Sequence, residues 1–167
     1  FNEVSDYQNW FLNTQKSAPK AKIAYLMSPS MVSNLTTAKI DQLIELTEQH
    51  GLMPVVVLWR ESKANSRLAD FLKSQGISAL VNLTHIQQGK KITEDLQRLN
   101  IPMLQGIHSR HHLADWHKAT SGVAAPMTAM FIALPETWGI SDPLVLSVQE
   151  EDQEKWLVPQ VKLLLDK

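Results

Sequence analysis

Four histidines crowd one short stretch, His108, His111, His112 and His117. Imidazoles so placed could hold a metal ion or carry protons near neutral pH, and His108 and His112 are the candidate metal ligands. The chain has no HExxH, no HxH and no carboxylate at a matching spacing. A solvated run of histidines where a loop enters a helix therefore accounts for the cluster more simply. Glu136 is the most suggestive carboxylate. It follows an apolar run and Pro135, where partial burial at a sheet edge would raise its pKa and suit it to proton transfer; an exposed loop acid is the plainer alternative. Trp138, beside Gly139, and Trp116 could stack on a planar ligand, with edge packing as the competing explanation. Ser28 and Ser30 could hydrogen-bond a ligand anion, although serines in such a loop more often cap the next helix.

These residues need elements to hold them. The apolar run at 22–27 reads as a buried strand, and 37–50 has Ile40, Leu43, Ile44 and Leu46 or Thr47 at helical spacing before Gly51. The pattern repeats with a strand at 54–59, a helix at 65–75, a third strand at 79–84 and a fourth at 102–107. A helix over 111–120, extended segments at 127–134 and 143–148, and a closing amphipathic helix at 153–165 follow. The expected fold is a three-layer α/β sandwich with a mostly parallel, flavodoxin-like doubly wound sheet, formed by residues 1–167 as one domain. In such sheets ligands bind beyond the carboxyl ends of the strands, which selects the loops at 28–34, 59–65, 84–91, 107–112 and 135–142.

Composition narrows the chemistry. The 167 residues are 44% hydrophobic and 20% charged, the balance of a globular domain. With 16 basic and 17 acidic residues there is no field to draw nucleic acid, which is not expected as a partner. The absence of cysteine excludes thiolate catalysis and cysteine-based metal sites, and leaves the compartment open. No apolar run is long enough for a membrane span. The strand-one loop lacks glycine and no Walker motif occurs, which argues against nucleotide hydrolysis; no GxSxG elbow is present for a serine hydrolase. The N-terminus lacks Met, and the chain is read as a piece of a longer protein.

Several runs, in order, resemble the large subunits of cobaltochelatase and magnesium chelatase. Asn100-Ile101-Pro102-Met103-Leu104-Gln105 is similar to the family's "vPVLQ" strand, Trp116 and Ser121-Gly122-Val123 to the arm after it, and Ile132-Ala133-Leu134-Pro135-Glu136-Thr137-Trp138-Gly139 to its "alPE.dG" segment. The 22–26, 51–55 and 80–84 runs also look like family counterparts. Trp138 stands where the family has an aspartate, and the strand-one loop lacks an arginine often found there.

The resemblance implies a domain of a very large subunit that binds a tetrapyrrole, inserting cobalt or magnesium or, in a haem-handling branch, removing iron. The expected substrates are the tetrapyrrole and a divalent metal, with nothing tightly bound to this fragment alone. The implied partners are the other domains of the parent chain and AAA+ ATPase subunits. The location would be cytoplasmic for a typical chelatase, or the cell envelope for the haem-handling branch. Glu136 would carry over as the loop glutamate near the porphyrin, accepting pyrrole protons or guiding the metal; Gln105, Trp116 and Gly139 would support the site. A non-catalytic ligand-binding or domain-docking module is the alternative.

Overall fold

The computed structural model describes residues 3–167 apart from 16, 34–36, 61–66, 85, 87–93, 120–122, 124 and 151–152. Its frame is a six-stranded sheet in the order β2-β1-β3-β4-β5-β6. The strands are β1 (Lys22–Met27), β2 (Met53–Leu58), β3 (Ala79–Asn82), β4 (Met103–His112), β5 (Ser141–Glu150) and β6 (Gln153–Trp156). All neighbours run parallel except β5 and β6, which are antiparallel. The first five strands thus follow the flavodoxin-like order, and the mostly parallel three-layer sandwich expected from the sequence is the architecture found.

Strand alternation divides the core in two. Ile23, Tyr25 and Met27 of β1 pack with Ile40, Leu43 and Leu46 of one helix and Val161, Leu164 and Leu165 of another. Ala24 and Leu26, pointing the other way, pack with Leu68 and Leu72. The helices on the first face are α3 (Thr37–Gln49) and α7 (Val158–Leu165), and the helix on the second is α4 (Leu68–Ser74). Thr47 joins the core as well as Leu46: its hydroxyl donates to the Leu43 carbonyl, and Tyr25 Oη donates to Thr47 Oγ1 at 2.7 Å. That pairing is how two buried hydroxyls avoid the cost of lost hydration.

The remaining helices are α1 (Val4–Gln15), α2 (Ser30–Ser33), α5 (Leu113–Lys118) and a composite α6. The last is α-helical at Ala125–Thr128, widens to π-helical turns at Ala129–Ala133 and ends as α-helix at Leu134–Glu136; a further turn spans 94–97. Two expectations fail. Residues 127–134 are helical, not extended. A short apolar run fits a strand or a buried helix equally, and Ala129, Met130, Ala133 and Leu134 are good helix formers. Residues 153–165 are not one helix, because β6 pairs with β5 first and α7 begins afterwards, with Pro159 in its first turn. Helix α1, to which no sequence signal was assigned, seats Phe11 in the core and bonds Tyr7 Oη to Glu48 at 2.8 Å.

Candidate functional site

Beyond the carboxyl end of β3 and along the middle of β4 lie two cavities, both walled by Met130 and Phe131 of α6. One, of about 420 Å³, is lined by Asn82, Thr84, Ile86, Gln105, Leu134 and Pro135 as well. The other, of about 280 Å³, adds Leu83, Gly106, His108, Arg110 and Met127. Alternation explains the split: Asn82 and Gln105 project with Leu80 and Met103 of one core face, while Leu83 and Gly106 meet the other.

The floor of the larger cavity is a closed amide network. Asn82 Nδ2 donates to Gln105 Oε1 at 2.8 Å and to the Thr84 carbonyl at 3.2 Å, while Asn82 Oδ1 accepts from the Thr84 amide and hydroxyl. Gln105 Nε2 donates to the carbonyls of Asn82 and Gly106. Gln105 therefore reaches the site, but its amide is spent inside the protein, so it shapes the floor.

The smaller cavity is different. Gly106 lets β4 come close, because a Cβ there would meet Leu83 Cδ2 at 2.4 Å and Leu146 Cδ1 at 2.8 Å. His108 lies in β4 rather than in a loop, between two shifts of register against β5, and such bulges re-aim side chains. Its Nδ1 sits 3.0 Å from Ser147 Oγ and 3.1 Å from Glu154 Oε1, and Ser147 Oγ donates to the same carboxylate oxygen at 2.5 Å. Burial pushes the Glu154 carboxyl up, but the hydrogen bonds from His108 and Ser147, with the charges of His108 and Lys39, outweigh it and hold it below the usual range.

Other expected residues are dispersed. Glu136 is exposed at the end of α6, so the partial burial expected of it is not met within this chain. Gly139 has φ +78°, the left-handed turn that ends α6 as Ile140 N–H closes onto the Pro135 carbonyl. Trp138 is half-buried against the Met103 and Ile140 side of the core and lines neither cavity, which is the packing alternative. Trp116, on α5, faces His117 at 5.1 Å; its buried indole N–H has no hydrogen-bond partner among the described residues. Ser28 and Ser30 bond to each other at 2.8 Å, with the Ser30 amide on Ser28 Oγ, where α2 begins, as a helix cap would. His112 is exposed at the end of β4, and no group of three His, Cys, Asp or Glu among the described residues could hold a metal. Gly122 and most of the 59–65 and 84–91 loops lie outside the described residues.

The profile of the CobN/Magnesium Chelatase family matches residues 1–164. The chain belongs to the CobN/magnesium chelatase family. It is 26% identical over 137 residues to the aerobic cobaltochelatase subunit CobN of Pseudomonas aeruginosa, covering 79% of this chain and 11% of that protein. It is also 26% identical over 154 residues to the uncharacterised protein MJ0908 of Methanocaldococcus jannaschii, covering 81% of this chain and 12% of the relative. Its fold matches the catalytic subunit of cobaltochelatase from Mycobacterium tuberculosis with a TM-score of 0.71 at 21% identity, over 87% of this chain and 14% of that one. The chain thus spans about an eighth of the length of these relatives.

Within this CobN-like fold, the sequence pointed to Gln105 and His108, and the structure sets them on neighbouring cavities. It did not point to Asn82, Ser147, Glu154, Met130 or Phe131. An asparagine closing the apolar strand Ala79–Asn82 was the one available signal, since a buried amide must find partners.

Proposed function

We propose that this chain is a domain of a tetrapyrrole metal chelatase large subunit and forms one wall of its porphyrin cavity, next to α6. What carries the reading is the pair of cavities beyond the carboxyl end of β3 and along β4, in a chain of this family. Their walls are Met130, Phe131, Leu134 and Pro135 over a few fixed polar groups, the mixture that suits a large flat apolar ligand with a polar centre. Met130 is 55% exposed and Leu134 41%, so α6 offers apolar surface with nothing yet covering it.

Metal insertion into a tetrapyrrole removes the pyrrole N–H protons as the ion enters, and metal removal is the reverse. The chain offers Glu136 at the outer end of α6 and imidazoles at His108 and His112 along β4 for moving protons or handing over the ion. Cobalt, magnesium and iron are the candidate metals. The other domains of the subunit and AAA+ ATPase subunits are the proposed partners.

Metal transfer by the complete subunit carrying Glu136→Gln tests the assignment of the carboxylate. A loss of at least tenfold with unchanged porphyrin affinity is expected. Full activity would remove Glu136 from the mechanism.

A further inference from the structure

The geometry points to His108 as the base that takes a pyrrole proton through Nε2, with Ser147 and Glu154 as the positioning residues that make this nitrogen the available one. This rests on the tetrapyrrole reading above. Ser147 has one hydroxyl proton, and it lies on Glu154 Oε1. Its oxygen can then only accept from His108 Nδ1, 3.0 Å away. Glu154 Oε1 lies 3.1 Å from the same nitrogen. Were Nδ1 bare, its lone pair would face a carboxylate lone pair and a hydroxyl oxygen with no proton between them. Nδ1 therefore carries the hydrogen, shared between Ser147 and Glu154, and the lone pair of the neutral ring is on Nε2.

Three further observations fix where that lone pair goes. His108 lines the smaller cavity, beside Met130 and Phe131. Nε2 has no hydrogen-bond partner among the described residues, and the side chain is 39% exposed, against 19% for Glu154. The anchors are fixed by the sheet: His108 pairs with Ser147 across β4 and β5, and β6 pairs with β5 to bring Glu154 alongside. A lone imidazole backed by a carboxylate suits a proton better than an ion, because among the described residues no second and third donor stands ready to complete a metal site.

In the step itself, the pyrrole N–H bond breaks and its electron pair stays on the pyrrole nitrogen, which then binds the incoming divalent metal. The proton goes to Nε2, giving an imidazolium whose charge the Glu154 carboxylate stabilises without itself taking a proton. The exposed ring edge releases the proton to water, and the base is free for the second N–H.

Ring-nitrogen NMR of this chain, followed by cobalt(II) incorporation into protoporphyrin by the complete subunit with its ATPase partners, tests the assignment. The ring of His108 is expected as the Nδ1–H form, moving toward the Nε2–H form in Ser147→Ala/Glu154→Ala. Incorporation should fall about 100-fold in His108→Ala and recover with added imidazole. It should fall about tenfold in Glu154→Ala and largely recover in Glu154→Asp, with porphyrin affinity unchanged throughout. An Nε2–H ring in the unaltered chain, or porphyrin binding with no His108-dependent incorporation, overturns the proposal. Failure of the unaltered complete subunit to bind porphyrin at all instead brings down the tetrapyrrole reading, and the proton role with it.

Discussion

The two sides of α6 use polar groups in opposite ways. On one side Asn82, Thr84 and Gln105 spend every side-chain donor on one another and on backbone carbonyls, leaving no N–H or O–H for a ligand. On the other, Ser147 and Glu154 bind one nitrogen of His108 and leave its second nitrogen without a protein partner. A closed network gives rigidity and an open one gives reactivity. Damage to the first should therefore appear in folding, and damage to the second in chemistry.

The largest effect on stability is expected from Asn82→Ala, which strands Gln105 Oε1 and the Thr84 amide in the interior. Urea denaturation should show a loss of about 3 kcal/mol, near the upper end for an unsatisfied buried group. Gly106→Ala comes next, at about 1–2 kcal/mol, because the added methyl would meet the tips of Leu83 and the fully buried Leu146, which must shift. Glu154→Gln should cost under about 1 kcal/mol, since its pair with His108 is partly exposed. If Glu154→Gln destabilised the chain as much as Asn82→Ala, the contrast between the two sides would be lost.

The pH response is smaller still and belongs to the open side. The folded-state pKa of Glu154 is lowered, so its contribution is present above the unfolded carboxylate value, about 4.3, and is lost as pH falls through the folded value. Denaturation midpoints measured below pH 5 should fall less steeply in Glu154→Gln than in the unaltered chain. Equal slopes would show that Glu154 is not held by His108, Ser147 and the charge of Lys39.

The regular part of the fold was legible because its signals agree. From β1 to β3, apolar strand runs alternate with helical spacing and end at Gly51 and Gly76, both at positive φ. Legibility ends where one signal fits two structures. The run from Met127 to Leu134 has no polar residue but Thr128 to set a period, so its widened helix was invisible. A strand over 127–134 would put Glu136 half-buried at a sheet edge, whereas the helix there leaves it exposed at its end. Strand β6 was hidden in a stretch whose apolar residues also suit a helix, and with it the partner of His108. Gln105 and His108 could be named from residue type and order. The hydrogen bonds that set their opposite roles come from strand pairing across long sequence distances, which spacing does not encode.

If α6 and its cavities form a porphyrin wall, absorbance titration of the complete subunit with haem and metal-free protoporphyrin shows it most directly. Met130→Asp, at an exposed position, is compared with Trp10→Asp on α1, away from both cavities. A saturable Soret shift is expected that Met130→Asp weakens at least tenfold and Trp10→Asp leaves alone. No shift, or a shift that Met130→Asp does not alter, would contradict a porphyrin wall at α6.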